Sequence, residues 1–263
     1  MEQVAEFMTE LLRSEIAEEE FCYEKKIILT DKFLIDLLVL ARKHQVAHIV
    51  ASALLNNSYL ENSPQQSEFL NEIYKAVYAQ EKMNEVFKDV CSAFEMAEIP
   101  YIPLKGAVVR KLYPQPWMRT SCDIDILVKK NDVNRAEKTI MSLGGYKKTG
   151  ESKHDVIYKS KNGIVIELHY KLIGNKSSPL YIKELSTVWQ TAKPDPENKY
   201  CFNLSDDIFY YYHIMHMAKH FRIGGCGIRP FIDLWLLEKT NYVSSDANNI
   251  LKKGILTFLQ KMP

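Results

Sequence analysis

Two aspartates, Asp123 and Asp125, lie two residues apart in the segment DIDILV. Successive side chains of a β-strand point to opposite faces, so both carboxylates would share one face and the aliphatic residues the other. Carboxylates about 7 Å apart repel by roughly 2 kcal/mol at an effective dielectric constant near 20, and aspartate is depleted in strands. A divalent cation would offset both costs, because hard cations prefer carboxylate oxygens. The alternative is an amphipathic edge strand with a solvated acidic face.

A second segment of the same design follows the turn at Asn162-Gly163. Its aliphatic residues alternate onto one face, and the other face carries Val165, Glu167 and His169. If the two strands are neighbours, Glu167 lies with the two aspartates on one face of the sheet, and the aliphatic residues of both strands lie on the other face. Three carboxylates from two strands form a cation-binding constellation.

The order of glycine turn, short helix, D-x-D strand and later strand acid resembles the nucleotidyltransferase fold of the polymerase-beta type. The fuller string, LKG through RTSCDIDILV and then IELHY, is similar to the uncharacterised bacterial nucleotidyltransferases often called NTP-transferase family 5. The similarity is strongest between about residues 99 and 170 and extends to about residue 237. Lys105-Gly106 departs from the Gly-Gly or Gly-Ser turn that is commoner in the wider fold. The usual contact of a hydroxyl with phosphate would then be absent, and Lys105 would supply positive charge in its place.

The resemblance implies an α+β fold, with a polymerase-beta-like nucleotidyltransferase core made of a small mixed sheet and flanking helices. We expect a helical N-terminal region over residues 1–98, the catalytic core over 99–193 and a helical C-terminal region over 194–263.

The activity implied is magnesium-dependent transfer of a nucleoside monophosphate from an NTP, with ATP as the first candidate, to a hydroxyl-bearing acceptor with release of pyrophosphate. Asp123, Asp125 and Glu167 are the expected catalytic residues and the ligands of two Mg²⁺ ions. The expected nucleotide-binding residues are Lys105, Gly106, Arg119, His169 and Lys219.

Two of these nucleotide-binding assignments also have a physical argument from the residues themselves. Gly106 begins a predicted helix, whose free backbone N–H groups favour an anion, although a glycine there could simply permit a tight turn. Arg119 precedes Asp123 by four residues. A guanidinium pairs bidentately with phosphate, but Arg119 could equally be a solvated loop charge.

Composition limits the partners. The 263 residues carry a formal net charge of +1, which argues against a strongly basic nucleic-acid binder and favours a small acceptor. The five cysteines are scattered, which indicates free thiols in a reducing compartment, and Cys122 is expected to pack in the core beside Ile124. The acidic N-terminus is unlike a signal peptide, and no apolar run reaches the roughly 18 residues of a membrane helix. We therefore expect a cytoplasmic protein without a membrane partner.

Helical periodicity predicts the flanking elements. Thr30 or Asp31 would cap a first helix, and an apolar pattern from residue 69 to 97 predicts a long one. In the C-terminal region, a helix starting near Ser205 and another from Arg229 through residue 237 are expected, followed by a last amphipathic helix around residues 250–259.

The helix near Ser205 places three histidines, His213, His216 and His220, on one face. They could bind zinc, face the catalytic cleft together with Lys219, or serve only in packing and hydrogen bonding. Asp233, in the following helix, could cap it, pair with an arginine or help to place the acceptor.

Three alternatives to a small-molecule nucleotidyltransferase remain open from the sequence. A D-x-D pair also occurs in metal-dependent glycosyltransferases that use nucleotide sugars. A toxin-type nucleotidyltransferase would modify a protein or an RNA, and a non-catalytic nucleotide-binding module would modify nothing. The sequence leaves open the identity of the NTP, the acceptor and the oligomeric state.

Overall fold

The computed structural model describes residues 1–25, 27–172 and 185–240. The amphipathic helix expected around residues 250–259 lies outside the described residues. The protein is α+β, with a small mixed sheet between helices, as the sequence analysis predicts.

Four helices precede the sheet: α1 (Glu2–Ala17), α2 (Asp31–Lys43), α3 (Ala47–Asn56) and α4 (Gln66–Met96). Thr30 is the N-cap of α2, because its hydroxyl accepts a hydrogen bond from the Phe33 amide at 3.2 Å. The predicted long helix is α4, whose 31 residues extend past the N-terminal helices to the sheet.

Within the described ranges the sheet has five strands, in the order β1-β2-β5-β4-β3. They are β1 (Tyr101–Pro103), β2 (Asp123–Val128), β3 (Tyr146–Glu151), β4 (Asp155–Ser160) and β5 (Val165–His169). The central pair β2 and β5 is parallel, and the other pairs are antiparallel. The D-x-D strand β2 and the strand β5, which carries Glu167 and His169, are therefore direct neighbours.

Short elements connect and flank the strands. Between β1 and β2 lie α5 (Gly106–Val109) and two 3₁₀ turns (Arg110–Leu112 and Pro116–Met118). A 3₁₀ turn (Lys130–Asp132) and α6 (Val133–Ser142) follow β2. The chain continues through α7 (Val188–Thr191), the two-stranded pair β6 (Lys193–Pro194) and β7 (Phe202–Asn203), α8 (Asp206–Ile223) and α9 (Arg229–Lys239).

Each face of the sheet packs against a different apolar cluster. Ile124, Ile126 and Val128 pack with the C-terminal half of α4 and with α6, which confirms the predicted core face. Leu127, on the opposite face of β2, packs in a second cluster that contains residues of α1 to α3, α8 and α9. The acidic face of β2 is thus turned towards the helical regions and not towards open solvent.

Two details differ from expectation or qualify it. Cys122 is exposed and does not pack beside Ile124, because β2 begins only at Asp123 and the strand alternation does not extend to residue 122. The expected boundary between residues 193 and 194 falls within β6, and Tyr101 donates its amide hydrogen to the Tyr200 carbonyl at 2.9 Å. The three-region division stays a prediction.

No helix among the described residues combines the length and the apolar composition that crossing a membrane requires.

Candidate active site

Asp125, Glu167 and His169 form one cluster on the acidic face of the sheet. Asp125 is paired in register with Glu167 on the parallel neighbouring strand, and Leu127 with His169. His169 Nε2 donates to Asp125 Oδ1 at 2.7 Å and lies 3.3 Å from Glu167 Oε2. One donor atom from each of the three residues lies within 4.8 Å of the other two. Parallel pairing and strand alternation therefore bring these side chains together.

Asp123 lies at the start of β2 and is paired with Val165, which has no charge. It is not a member of the three-residue cluster. Burial first, and then the charges of Asp125 and Glu167, raise the pKa of its carboxyl. Asp123 is thus close enough to interact electrostatically with the cluster while lying one strand repeat away from it.

Lys105 contributes a positive charge inside this cluster. Its Nζ lies 2.5 Å from Asp125 Oδ1 and 3.9 Å from Glu167 Oε2. The backbone of Lys105 has φ 43° and ψ −114°, a conformation that L side chains rarely adopt. The residue predicted to hold phosphate therefore contacts the acids in this structure, and its binding to phosphate stays a prediction.

The charges of the cluster are mutually stabilised. Burial alone would raise the pKa of Asp125, but the hydrogen bond from His169 and the charge of Lys105 hold it well below its usual range. Burial alone would lower the pKa of His169, yet hydrogen bonds to Asp125 and Glu167 raise it above its usual value. Burial alone would lower the pKa of Lys105, but the neighbouring groups, Asp125 among them, outweigh this effect and raise it. The position consequently favours a positive charge next to Asp125.

Gly106 is favoured by a close approach and not by its backbone angles, since the positive φ belongs to the preceding Lys105. A Cβ at residue 106 would lie 3.2 Å from Ser121 Oγ. The helix that Gly106 begins has only four residues before a 3₁₀ turn, so its dipole is small and offers little of the expected attraction for phosphate. Nucleotide binding at Gly106 stays a prediction.

Arg119 is not a free loop charge at the mouth of the acidic strand. Its side chain is buried, and Nε donates to the Asp233 carboxylate at 2.7 and 3.0 Å, while Nη1 donates to the Thr120 carbonyl at 2.6 Å. Tyr113 Oη also donates to Asp233 at 2.7 Å. The predicted pairing of Asp233 with an arginine is confirmed. Phosphate binding by Arg119 stays a prediction. A phosphate would have to share the Arg119 guanidinium with Asp233.

Helix α8 contributes two further residues to the electrostatics of the cluster. Tyr212 is buried, and its pKa is raised first by burial and then by the nearby carboxylates against the effect of Lys105. Burial, followed by the charge of Lys105, lowers the pKa of His216 to about 3. His216 is therefore a neutral imidazole near the site. The alternative in which this face of the helix looks into the cleft is the one these interactions favour.

The three histidines of α8 do not converge on one point. His213 Nε2 lies 3.5 Å from Asp233 Oδ2, whereas the Nε2 atoms of His216 and His220 lie 2.8 Å from each other. A zinc site made by these three residues is not supported. Lys219 is exposed on the same helix, and its role in nucleotide binding stays a prediction.

Sequence reasoning missed Tyr212, Arg110 and Ser121, which lie at the site or beside it. Tyr212 stands in the aromatic run FYYYH, where the sequence gives no signal for which ring faces the acids. Arg110 follows Gly106 by four residues, a helical spacing that would have placed both on one side of the turn.

The donor set fits a divalent cation. Two carboxylates on one face of a sheet supply the oxygen ligands that Mg²⁺ or Mn²⁺ prefers, and the imidazole of His169 lies beside them. The contact of Lys105 Nζ with Asp125 shows in addition that this position stabilises a cation.

Comparisons with known proteins agree on the class of fold. A family model described as an uncharacterised nucleotidyltransferase matches residues 35–262. No curated protein is similar enough in sequence to count as a match. The solution structure of the antibiotic-resistance factor ANT(2'')-Ia has a TM-score of 0.51 at 8% identity, over 69% of this chain and 95% of that chain. A crystal structure of ANT(2'')-Ia in complex with adenylyl-2''-tobramycin has a TM-score of 0.50 at 10% identity, over 66% and 99%.

At these low identities the solved structures establish the fold alone, which is the nucleotidyltransferase fold predicted from the D-x-D strand and its neighbours. The family match covers most of the chain and confirms the resemblance seen in the sequence. The glycosyltransferase and non-catalytic alternatives lose their support. The chain belongs to the family of uncharacterised nucleotidyltransferases and is an enzyme that transfers nucleotidyl groups.

Proposed function

We propose that the protein transfers a nucleoside monophosphate from an NTP, with ATP as the first candidate, to a hydroxyl group of a small acceptor. In this reaction the acceptor oxygen forms a bond to the α-phosphorus, and the bond between that phosphorus and the bridging oxygen of the β-phosphate breaks. Pyrophosphate leaves with the electron pair, and the hydroxyl proton passes to a base.

The observation that supports this proposal is the register of β2 and β5. It sets Asp125 beside Glu167 on one face, with His169 Nε2 within 3.3 Å of both carboxylates. Acidic residues joined in this way on adjacent parallel strands, in a family of nucleotidyltransferases, are suited to hold divalent cations against a triphosphate.

Asp123, Asp125 and Glu167 would hold two Mg²⁺ ions, which when bound lower the pKa of an acceptor hydroxyl and stabilise charge on the reacting phosphate. Asp125 and Glu167 supply the closely spaced oxygens, and Asp123 would join from the start of the strand. His169 holds the Asp125 carboxylate in place through its hydrogen bond.

The remaining roles belong to groups around the acids. Glu167 is the best-placed proton acceptor, because its side chain is 26% exposed whereas that of Asp125 is 2% exposed. Lys105 would bind the triphosphate with its ammonium group. His216, neutral and next to the cluster, would present a hydrogen-bonding group to the nucleotide or the acceptor.

A small acceptor is favoured over a macromolecule by two considerations. The net charge of +1 gives no broad basic surface for a nucleic acid. In addition, the similar ANT(2'')-Ia structure contains adenylyl-2''-tobramycin, a small molecule that carries an adenylyl group.

The test uses α-labelled NTPs, Mg²⁺ and a cell extract separated into small-molecule and macromolecular fractions. We expect magnesium-dependent release of pyrophosphate and label in the small-molecule fraction. Label in protein or RNA would instead support the toxin-type alternative.

Variants test the assignment of the acids. Glu167→Gln should slow transfer by about 100-fold or more, in the range typical of a lost proton acceptor. Asp125→Asn should weaken binding of the metal–NTP complex, and Asp89→Asn, an exposed acid on α4, serves as the control. Equal metal–NTP affinity in wild type and Asp125→Asn would contradict the site.

A further inference from the structure

Among the residues that the structure describes, Arg110 is a buried cation without a carboxylate partner. The residue is 9% exposed, and within the described residues its guanidinium bonds only through Nη2, to Ser121 Oγ at 2.9 Å and Met83 Sδ at 3.4 Å. Its Nε is buried, and no described residue is its hydrogen-bond partner. Both contacting groups are neutral, so they cannot offset the several kcal/mol that a buried, uncompensated charge costs. Burial is also the main reason why the pKa of Arg110 falls to about 10.

The other cations beside the acids are better compensated. Lys105 and Arg119 each contact a carboxylate, at 2.5 and 2.7 Å. Arg229 is only partly buried and donates to a backbone carbonyl at 3.0 Å. In the described part of the chain, Arg110 is therefore the one of these four cations that has neither a carboxylate nor a carbonyl oxygen as partner.

Arg110 also lies beside the glycine turn that precedes the acidic strand. Its Nη2 is 3.7 Å from the position that a Cβ of residue 106 would take, and Ser121 Oγ is 3.2 Å from the same point. The guanidinium, the hydroxyl and the bare backbone of Gly106 thus converge. Asp123 is near enough to stabilise the arginine electrostatically, which places this convergence at the start of the acidic strand.

We propose that Arg110 and Ser121 form an anion site that binds the pyrophosphate portion of the NTP and, after transfer, the pyrophosphate product. This rests on the proposed function for the identity of the ligand. A phosphate oxygen supplies the counter-charge that Arg110 lacks. The Ser121 hydroxyl, which donates to Met83 Sδ at 3.0 Å in this structure, turns to donate a second hydrogen bond to the phosphate. Arg110 thereby takes the part that the sequence analysis assigned to Arg119, whose charge is already paired with Asp233.

The substitution Arg110→Met separates a binding role from a structural one. Methionine keeps a long side chain next to Met83 and removes a charge that has no counter-ion in the ligand-free protein. If Arg110 serves phosphate binding, the variant should unfold at the same temperature as the wild type or at a higher one. If Arg110 serves the fold, the variant should unfold at a lower temperature.

The binding measurement uses inorganic pyrophosphate without metal or acceptor, by calorimetry and by the shift of the unfolding temperature of the full chain. We expect pyrophosphate to bind the wild type and stabilise it. Arg110→Met should lose about tenfold or more in affinity, equivalent to one charge-assisted hydrogen bond, and Ser121→Ala a smaller factor. Lys111→Met, which removes the adjacent exposed cation, should bind as the wild type does.

The outcomes separate this inference from the proposed function. No pyrophosphate binding by the wild type, equal loss in Arg110→Met and Lys111→Met, or wild-type affinity in Arg110→Met would each overturn the anion site. Loss of pyrophosphate binding in Arg110→Met, in a protein that transfers no nucleotide, would support the site and contradict only the proposed reaction.

Discussion

At the scale of the residue, Lys105 combines a strained backbone with a side chain that contacts the acids. Its φ of 43° is a conformation that a residue other than glycine adopts at a cost of about 1–3 kcal/mol. The same residue directs its ammonium group to Asp125 and Glu167. Glycine would fit the turn without strain but would leave the carboxylates without this charge.

The strain predicts an ordering of two variants. Lys105→Gly and Lys105→Ala both lose the ammonium group, but only glycine relieves the backbone. We expect the glycine variant to have the larger free energy of unfolding, by about 1 kcal/mol, in urea titrations. At Lys111, in the 3₁₀ turn, the same pair of substitutions should give the opposite order, since that position is helical and has no positive φ. An alanine variant as stable as the glycine variant at residue 105 would show that the turn is unstrained.

The position of the ammonium group predicts its effect on metal binding. A cation within 4 Å of Asp125 and Glu167 opposes a second cation at the same oxygens. Lys105→Met should therefore bind Mn²⁺ about tenfold or more tightly in the absence of nucleotide, measured from the paramagnetic resonance signal of free Mn²⁺. Lys111→Met is the matched control, and unchanged affinity in Lys105→Met would mean that lysine and metal do not compete.

At the scale of the element, the site depends on how the connection before β2 is tied to the two C-terminal helices. Asp233 of α9 is fully buried and accepts hydrogen bonds from Arg119 and Tyr113, which both lie in that connection. His213 of α8 lies 3.5 Å from the same carboxylate. This one residue therefore links the approach to the acidic strand with the helix that contributes Tyr212 and His216.

Breaking this link predicts a large loss of stability. Asp233→Asn leaves the Arg119 charge buried without its partner, which should lower the free energy of unfolding by about 3 kcal/mol or more in urea titrations. Glu197→Gln, at an exposed acid, should change it little.

A double variant tests the reason for that loss. Arg119→Met combined with Asp233→Leu removes both charges and should be less destabilised than Asp233→Asn alone, because no unpaired charge remains. If the double variant is less stable than Asp233→Asn, the loss of stability in Asp233→Asn would be due to packing and not to the unpaired charge.

At the scale of the whole molecule, burial of histidines couples folding to pH. The pKa values of His48 and His213 are lowered, in both cases mainly by burial, and that of His216 falls to about 3. In the unfolded chain these groups regain ordinary values near 6.5. Below that pH the unfolded state binds more protons than the folded one, so stability falls as pH falls. His169, with a raised pKa, contributes in the opposite direction.

His48 provides the cleanest variant for this effect, since its ring is buried and Nε2 donates to the Met118 carbonyl at 2.8 Å. His48→Gln keeps a donor and removes the titration. Between pH 6.5 and 5 the wild type should lose stability more steeply than the variant, by up to about 1.4 kcal/mol per pH unit for one proton. Parallel pH profiles for His48→Gln and the wild type would contradict the prediction.

Local periodicity carried much of the prediction of the fold. The alternation in DIDILV and in IVIELH identified which residues of β2 and β5 face the core, and the pattern around Thr30 identified a helix cap. The convergence of Glu167 with Asp125 also followed from alternation once the two strands were assumed to be neighbours. The exposure of Cys122 was missed, because the residue at which a strand begins depends on pairing with its neighbours.

By itself, the sequence determined the family, the acidic face and the residues able to ligate a cation, because these depend on residue type and on spacing along one or two strands. Only the tertiary structure decided which cation meets which carboxylate. Lys105 meets Asp125, Arg119 meets Asp233, and Arg110 meets no carboxylate of the described residues. Ion pairs form between residues up to 114 positions apart, and the energy of each depends on burial and on distances of a few ångströms. Neither quantity is encoded in local spacing, so the assignment of charges emerges only when the elements pack.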